Sequence, residues 1–273
     1  LRRTIAVTGV ASGIGAQLAR ILSERGHTVI GFDIKRATQN VDEFIHLDLN
    51  DPLSITAAAE QCPSDLDGLC NNAGLPPRDG LEIAILKVNF LGTRAFTNAV
   101  ASKMAPGASL VNMASRAGHR WQENLRQIKR LATLHTEAEL EDFITKEGIN
   151  ATRAYNLSKE AIILWTLATT ERMVNSGLRV NSLSPGGVST NILDDFKRAF
   201  GDVVAKNVKR AGRPGRPEEV AEIATFLLMP ESNWIKGTDI AIDGGMGGFN
   251  IADSLGLDVL DTALLKTSWR PKY

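Results

Sequence analysis

Short runs of apolar and β-branched residues alternate along this chain with longer stretches whose apolar positions recur every three or four residues. The short runs are Thr4–Thr8, Thr28–Phe32, Glu43–Leu47, Leu66–Cys70, Ser109–Met113, Leu178–Leu183 and Thr238–Ile242. Runs of this length and composition predict strands buried on both faces. Between them, Leu18, Ile21 and Leu22 fall at helical spacing, and Leu53 to Gln61 reads as a helix capped by Asp51 with Pro52 at its first position. Ile83 to Val100 predicts one long helix with Asn89 inside its apolar pattern, and Ala161–Trp165 continues another without a Pro or Gly. Strands alternating with helices specify an α/β fold, a parallel, doubly wound sheet of about seven strands.

In such a sheet, ligands bind beyond the carboxyl ends of the strands. Gly9, Asp33, Asp48, Gly74, Ser115 and Pro185 all fall at those ends. After the first strand comes Gly9-Val10-Ala11-Ser12-Gly13-Ile14-Gly15, which runs into a helix. Glycines there let the backbone approach a pyrophosphate, and the N–H groups and dipole of the helix start favour an anion. The second strand ends on Asp33, where a carboxylate can accept a hydrogen bond from an adenosine ribose 2′-hydroxyl and repel a 2′-phosphate. NAD is therefore expected over NADP, although Lys35 and Arg36 could swing toward a phosphate. The third strand ends at Asp48-Leu49, and the fourth at Asn71-Asn72-Ala73-Gly74.

Tyr155 and Lys159 stand four apart, so a helix places one above the other. A phenol with an ordinary pKa of about 10 is a poor acid or base at neutral pH, and an ammonium beside it favours the phenolate. Taken alone, the pair is also the pattern of a snorkelling surface lysine. Asn89 has two readings as well: an amide bonded to neighbouring backbone, or part of a proton path.

Composition narrows the function. Apolar residues make up 43% and charged residues 23% of 273, the balance of a globular protein with a core. Lys+Arg and Asp+Glu both number 31, which argues against nucleic acid or an anionic membrane as partner. Cys62 and Cys70 are the only cysteines, and His27, His46, His119 and His135 lack ligand spacing, so neither a disulfide framework nor a metal site is expected. No apolar run approaches the roughly 20 residues that span a bilayer, and Leu1-Arg2-Arg3 leads straight into a strand, so a cytoplasmic location without a signal peptide is the expectation.

Together these residues resemble the short-chain dehydrogenase/reductase family, in the large subgroup carrying T-G-x-x-x-G-I-G and Y-x-x-x-K. The motifs stand here as Thr8 to Gly15 and Tyr155 to Lys159. Asn71–Gly74, Asn89, Ser115, Pro185-Gly186 and Thr190 match the family's other marks in order, over residues 4 to 248. The resemblance implies one Rossmann-like domain over residues 1–273. It also implies hydride transfer between a nicotinamide cofactor and a small alcohol or carbonyl, in a homo-oligomer, dimer or tetramer. Tyr155 is then expected to pass a proton to or from the substrate oxygen, Lys159 to lower the Tyr155 pKa and hold the nicotinamide ribose, Ser115 to orient that oxygen, and Asn89 to hold a water leading to solvent. The implied cofactor contacts are Gly9, Ser12, Gly13, Ile14 and Gly15 of the first turn, then Asp33, Asp48 and Leu49. They continue with Asn72, Ala73 and Gly74, with Tyr155 and Lys159, and with Pro185, Gly186, Val188 and Thr190.

One stretch departs from the family's common pattern. Residues 116–153 separate Ser115 from Tyr155 where most relatives have a short loop. Leu125, Ile128, Leu131 and Ala132, then Leu140, Phe143 and Ile144, fall at helical spacing and predict two short inserted helices. Comparable insertions occur in relatives that act on coniferyl-type alcohols and on hydroxysteroids. Residues 187–213 correspond to the family's substrate lid, with Ile192, Leu193, Phe196 and Phe200 on one face and Trp121 approaching from the insertion. If these side chains line the pocket, the substrate is lipophilic or aromatic; packing is the alternative use of such a stripe. Residues 249–273 form an extension without a family counterpart, too apolar at Leu255, Leu257, Val259, Leu260, Leu264 and Leu265 for a free tail.

Overall fold

The computed structural model describes residues 1–189 and 193–260. In chain order the elements are β1 (Thr4–Thr8), α1 (Gly13–Glu24), β2 (Thr28–Asp33), β3 (Glu43–His46), α2 (Pro52–Gln61), β4 (Leu66–Asn71), α3 (Glu82–Leu86) and α4 (Thr93–Val100). Then follow β5 (Met104–Met113), α5 (Leu125–Leu131), α6 (Glu137–Glu147), α7 (Ala151–Asn175) and β6 (Arg179–Pro185). The described chain continues with α8 (Leu193–Phe200), α9 (Asp202–Ala211), α10 (Pro217–Leu228), β7 (Asp239–Ile242) and α11 (Met246–Leu255). The seven strands lie in the order β3-β2-β1-β4-β5-β6-β7, every neighbouring pair parallel. The order reverses between β1 and β4, and the crevice beyond that point is where an open α/β sheet binds ligands.

Alternate side chains of each strand feed opposite layers. On one side, Ile5, Val7 and Val111 pack with Leu18 and Leu22 of α1 and with Val220, Ala224 and Leu227 of α10. Ala6, Leu69 and Leu110 pack with Ile55 of α2, Phe96 of α4 and Met173 of α7 on the other. A third cluster joins Ile128 and Leu131 of α5, Leu140 and Phe143 of α6, Ile85 of α3 and Leu157 of α7. The stretch before α7 thus carries its own core. Its start is Arg116–Gly118 and Trp121–Asn124, two 3-10 turns that apolar periodicity does not announce. Leu125, at the start of α5, is 36% exposed, while Ile128 and Leu131 are buried.

Local signals account for several boundaries. The Asp51 carboxylate accepts from the Leu53 N–H at 2.9 Å and caps α2. Thr136 and Glu139 form a capping box on α6, which ends at Gly148 with φ +61°. β5 begins at Met104, upstream of its apolar run at Ser109. No described helix is long and apolar enough to cross a membrane.

The expected single helix from Ile83 to Val100 is corrected by the structure. The path is helical from Glu82, but Lys87–Gly92 forms a π-helical turn between α3 and α4. Tertiary contact explains it: a methyl group on Gly92 would overlap the Leu49 carbonyl oxygen, so the chain widens where it crosses the loop after β3. The Thr93 hydroxyl donates to the Val88 carbonyl, five residues back, at 2.9 Å, and takes up part of the loosened ladder. Asn89 lies inside this turn. Gly92→Ala is expected to lower stability by about 1–3 kcal/mol, the cost of forcing a methyl into a filled site. Urea unfolding checks this, and an unchanged midpoint would contradict the close approach.

Candidate active site

The glycine turn after β1 is held from the adjoining strand end. Thr8 Oγ1 accepts from the Asn72 and Ala73 N–H groups, both at 3.0 Å, and Asn72 Nδ2 donates to the Thr8 and Gly9 carbonyls at 3.1 and 3.3 Å. Gly9 has φ +71°, and a methyl on Gly15 would overlap the Gly9 carbonyl oxygen. Ser12 precedes α1 in an extended conformation and makes no side-chain cap, so its hydroxyl leaves the first N–H groups of α1 free for an anion. Gly13 and Ile14 open that helix.

Asp33 closes β2, with Oδ2 accepting from Ala11 N–H at 3.0 Å and Oδ1 from Lys35 N–H at 2.9 Å. Its carboxylate is thereby fixed against the glycine turn, while Lys35 and Arg36 are exposed. Asp48 accepts from Asn50 N–H at 2.8 Å, and Leu49 is buried against the π turn.

Four groups converge beyond β4, β5 and α7. Lys159 Nζ donates to the Met113 carbonyl at 2.8 Å. Ser115, two residues further, is hydrogen-bonded to the Tyr155 hydroxyl, and its Oγ also accepts from Ala117 N–H at 3.2 Å. A methyl added to Gly74 would lie 3.2 Å from Asn89 Oδ1 and 3.6 Å from Lys159 Nζ, so the missing side chain opens the space beside the ammonium. Phe200, at the end of α8, meets the Tyr155 ring edge-on with centroids 6.5 Å apart.

Asn89 is bonded on both amide atoms. Its Oδ1 accepts from Leu75 N–H at 2.7 Å, and its Nδ2 donates to the Leu75 carbonyl at 3.0 Å and to Ser158 Oγ at 3.2 Å. Ser158 in turn donates to the Tyr155 carbonyl at 2.7 Å. The amide therefore stitches the loop after Gly74 to α7. Sequence reasoning missed Ser158 and Thr8 in this role, although both stand inside the two motifs.

The expectation that Lys159 lowers the Tyr155 pKa is corrected for this arrangement. Burial pushes the phenol up to about 12, and the opposing pull comes from the Ser115 hydrogen bond. Burial also drives the Lys159 ammonium down to about 8. The reason is geometric: Nζ is turned onto the Met113 carbonyl and lies 5.8 Å from the centre of the Tyr155 ring.

At the far side, Gly186 follows Pro185 and donates to the Ile242 carbonyl at 2.9 Å, and a methyl there would overlap the end of Met246. Val188 is buried and pairs with Gly215. Arg116 Nε meets Asp243 Oδ2 at 3.0 Å, tying the residue after Ser115 to the start of α11. Arg78 meets the buried carboxylate of Asp195 at 2.7 Å and so joins the loop after β4 to α8. Thr190, Ile192, the side chains of Leu193, Phe196 and Val259, and Leu264 and Leu265 lie outside the described residues. Trp121 packs on the same third cluster as Phe200. Among the described residues, no group of three or more His, Cys, Asp or Glu side chains is placed to hold a metal ion.

A glycine-walled turn at a helix start, an acidic side chain at the end of β2 and a hydroxyl pair beside an ammonium define a dinucleotide-dependent oxidoreductase site on a doubly wound sheet. The short chain dehydrogenase family model matches residues 3–126, and the enoyl-(acyl carrier protein) reductase model matches residues 142–247. The chain is 36% identical over 246 residues to coniferyl-alcohol dehydrogenase of Pseudomonas sp. strain HR199, covering 89% of this chain and 96% of that one. It is 27% identical over 249 residues to 3-alpha-hydroxysteroid dehydrogenase/carbonyl reductase of Comamonas testosteroni, covering 89% and 95%. Among solved structures, the NADH complex of 3-alpha-hydroxysteroid dehydrogenase from Pseudomonas sp. B-0831 superposes with a TM-score of 0.81 at 30% identity, over 91% of this chain and 98% of that one. The chain belongs to the short-chain dehydrogenase/reductase family. It is an oxidoreductase acting on CH–OH groups of small molecules.

The lysine's burial has a measurable sign. Lys159 falls from an ordinary 10.5 to about 8 in the folded chain, so between those values the unfolded chain holds the extra proton and stability rises with pH. Tyr155 acts oppositely, its rise from 10.0 to about 12 lowering stability only above pH 10. The stability of the native chain minus that of Lys159→Met is therefore expected to climb from pH 8 to 10 in urea titrations. A difference that stays flat would show that the ammonium is not held in a desolvated site.

Proposed function

We propose that this protein interconverts an alcohol and a ketone or aldehyde with NAD as cofactor, on a lipophilic or aromatic substrate. The observation that carries the reading is the Ser115–Tyr155 hydroxyl contact, with the Lys159 ammonium alongside and Gly74 leaving open space. The residues present fit a dinucleotide: the open start of α1 suits a pyrophosphate, and Asp33 suits a ribose hydroxyl. When bound, the nicotinamide supplies or accepts the hydride.

The chain's own groups handle the proton. In reduction, Tyr155 gives its phenolic proton to the substrate oxygen as negative charge develops there, and Ser115 holds that oxygen by hydrogen bond. A phenol held at about 12 stays protonated at neutral pH, which suits it as the donor. In oxidation the same oxygen returns its proton to the phenolate, a form that the Ser115 hydrogen bond favours. Lys159 and Asn89 hold the nicotinamide ribose and the route to solvent in this reading. Phe200 edge-on to Tyr155, with Trp121 on the same cluster, supplies apolar walls and supports a substrate of coniferyl or hydroxysteroid character.

Tyr155→Phe is expected to lower kcat by about 10²–10⁴ while cofactor affinity stays unchanged. Retained turnover in a screen of aryl alcohols, steroids and cyclic ketones would refute the acid–base role. In fluorescence titrations NADH is expected to bind more tightly than NADPH. The reverse order would assign Lys35 and Arg36, both exposed beside Asp33, to a 2′-phosphate.

A further inference from the structure

Glu160 follows Lys159 on α7 and is a charged side chain 1% exposed. Its Oε1 accepts from Asn124 Nδ2 at 2.9 Å and from Arg153 Nη1 at 3.0 Å, and its Oε2 accepts from Arg153 Nη2 at 2.7 Å. Arg153 Nε donates onward to Gln127 Oε1 at 3.0 Å, and Gln127 Nε2 donates to Glu147 Oε2 at 2.9 Å. One carboxylate thus gathers α5, the end of α6 and α7. Such a buried charge is held only where its partners are fixed.

The partners matter because of where they lead. Asn124 ends the segment that Ser115 begins, and the same Nδ2 also donates to the Arg120 carbonyl at 3.2 Å. Midway, Gly118 lies against α7 so closely that a methyl there would sit 2.8 Å from the Lys159 carbonyl oxygen. The segment from Ser115 to Asn124 is therefore pinned to α7 at two consecutive residues, Gly118 against the Lys159 carbonyl and Asn124 on the Glu160 carboxylate. A tether at its far end sets how its near end approaches the helix, and its near end is the Ser115 hydroxyl on Tyr155.

We propose that Glu160, acting through Asn124, is a positioning residue that sets the Ser115–Tyr155 hydrogen bond. This rests on the reading of Ser115 and Tyr155 as the groups at the substrate oxygen. It gives the helical stretch before α7 a function in the chemistry: its polar anchor orients a hydroxyl without touching substrate.

Asn124→Ala removes the tether while leaving the Arg153–Glu160 pair intact, so the fold is expected to persist. In this variant kcat is expected to fall about tenfold, with dinucleotide affinity unchanged, since small misplacements of reacting groups are costly. The pH–kcat limb that reports Tyr155 is expected to move to higher pH, because a looser Ser115 bond stabilises the phenolate less. Glu160→Gln is expected to move the same limb in the same direction. Lys146→Ala, which removes an exposed pair with Asp142 on α6, is the control and is expected to leave both readings alone. A normal limb position in Asn124→Ala overturns the proposal, whether or not melting temperature falls. Turnover retained by Tyr155→Phe would instead remove the reading beneath it, so the two failures are distinguishable.

Discussion

An ammonium donated to a main-chain carbonyl, Lys159 on Met113, is the contact on which the site depends. It is a buried charge, and the depression of its pKa to about 8 measures how unfavourable that burial is. What it secures is register. Met113 is the last residue of β5 and Ser115 lies just beyond it, while Tyr155 stands one turn before Lys159 on α7. Fixing the lysine to the strand end therefore brings the two hydroxyls together. Gly74 keeps the space beside that ammonium open, since a methyl there would come within 3.2 Å of Asn89 Oδ1 and 3.6 Å of Lys159 Nζ.

Beneath this contact the two helices that carry the site are braced by neutral polar groups. Asn71 Nδ2 donates to Thr97 Oγ1 at 2.8 Å and to Asn112 Oδ1 at 2.9 Å, and Asn112 Nδ2 reaches Thr166 Oγ1 at 2.9 Å. The network joins β4 and β5 to α4 and α7 inside the apolar layer, where a hydrogen bond is electrostatically stronger than in water. Asn89, buried as well, works similarly, its amide serving as a short strand partner for Leu75. Helices on one face of a sheet slide easily on apolar contacts alone. Polar contacts with fixed geometry prevent it here.

Much of this architecture was readable in residue order. Strands buried on both faces are continuous apolar runs, and β1, β2 and β4 follow them almost residue for residue. The glycine turn, Asp33 and the Tyr155–Lys159 spacing are local patterns whose geometry follows from short-range sterics. Three features were not readable, each because distant contacts decide it. The π turn depends on Leu49 pressing on Gly92. The pKa of Tyr155 depends on burial by Phe200 and the rest of the third cluster. The partner of Glu160 depends on how residues 116–124 lie across α7, and no periodicity encodes that.

The π turn has one further consequence. Regular helix would carry Ile85 and Phe96 on nearly the same side, since eleven residues close to three full turns. The wider turn between them swings the later half by roughly a quarter revolution. Ile85 accordingly joins the layer built by α5 and α6, whereas Phe96 joins the layer under the sheet. A single continuous rod thus belongs to two hydrophobic interiors at once. Sequence change in one can be absorbed by repacking its own half, without turning the other half away from the strands.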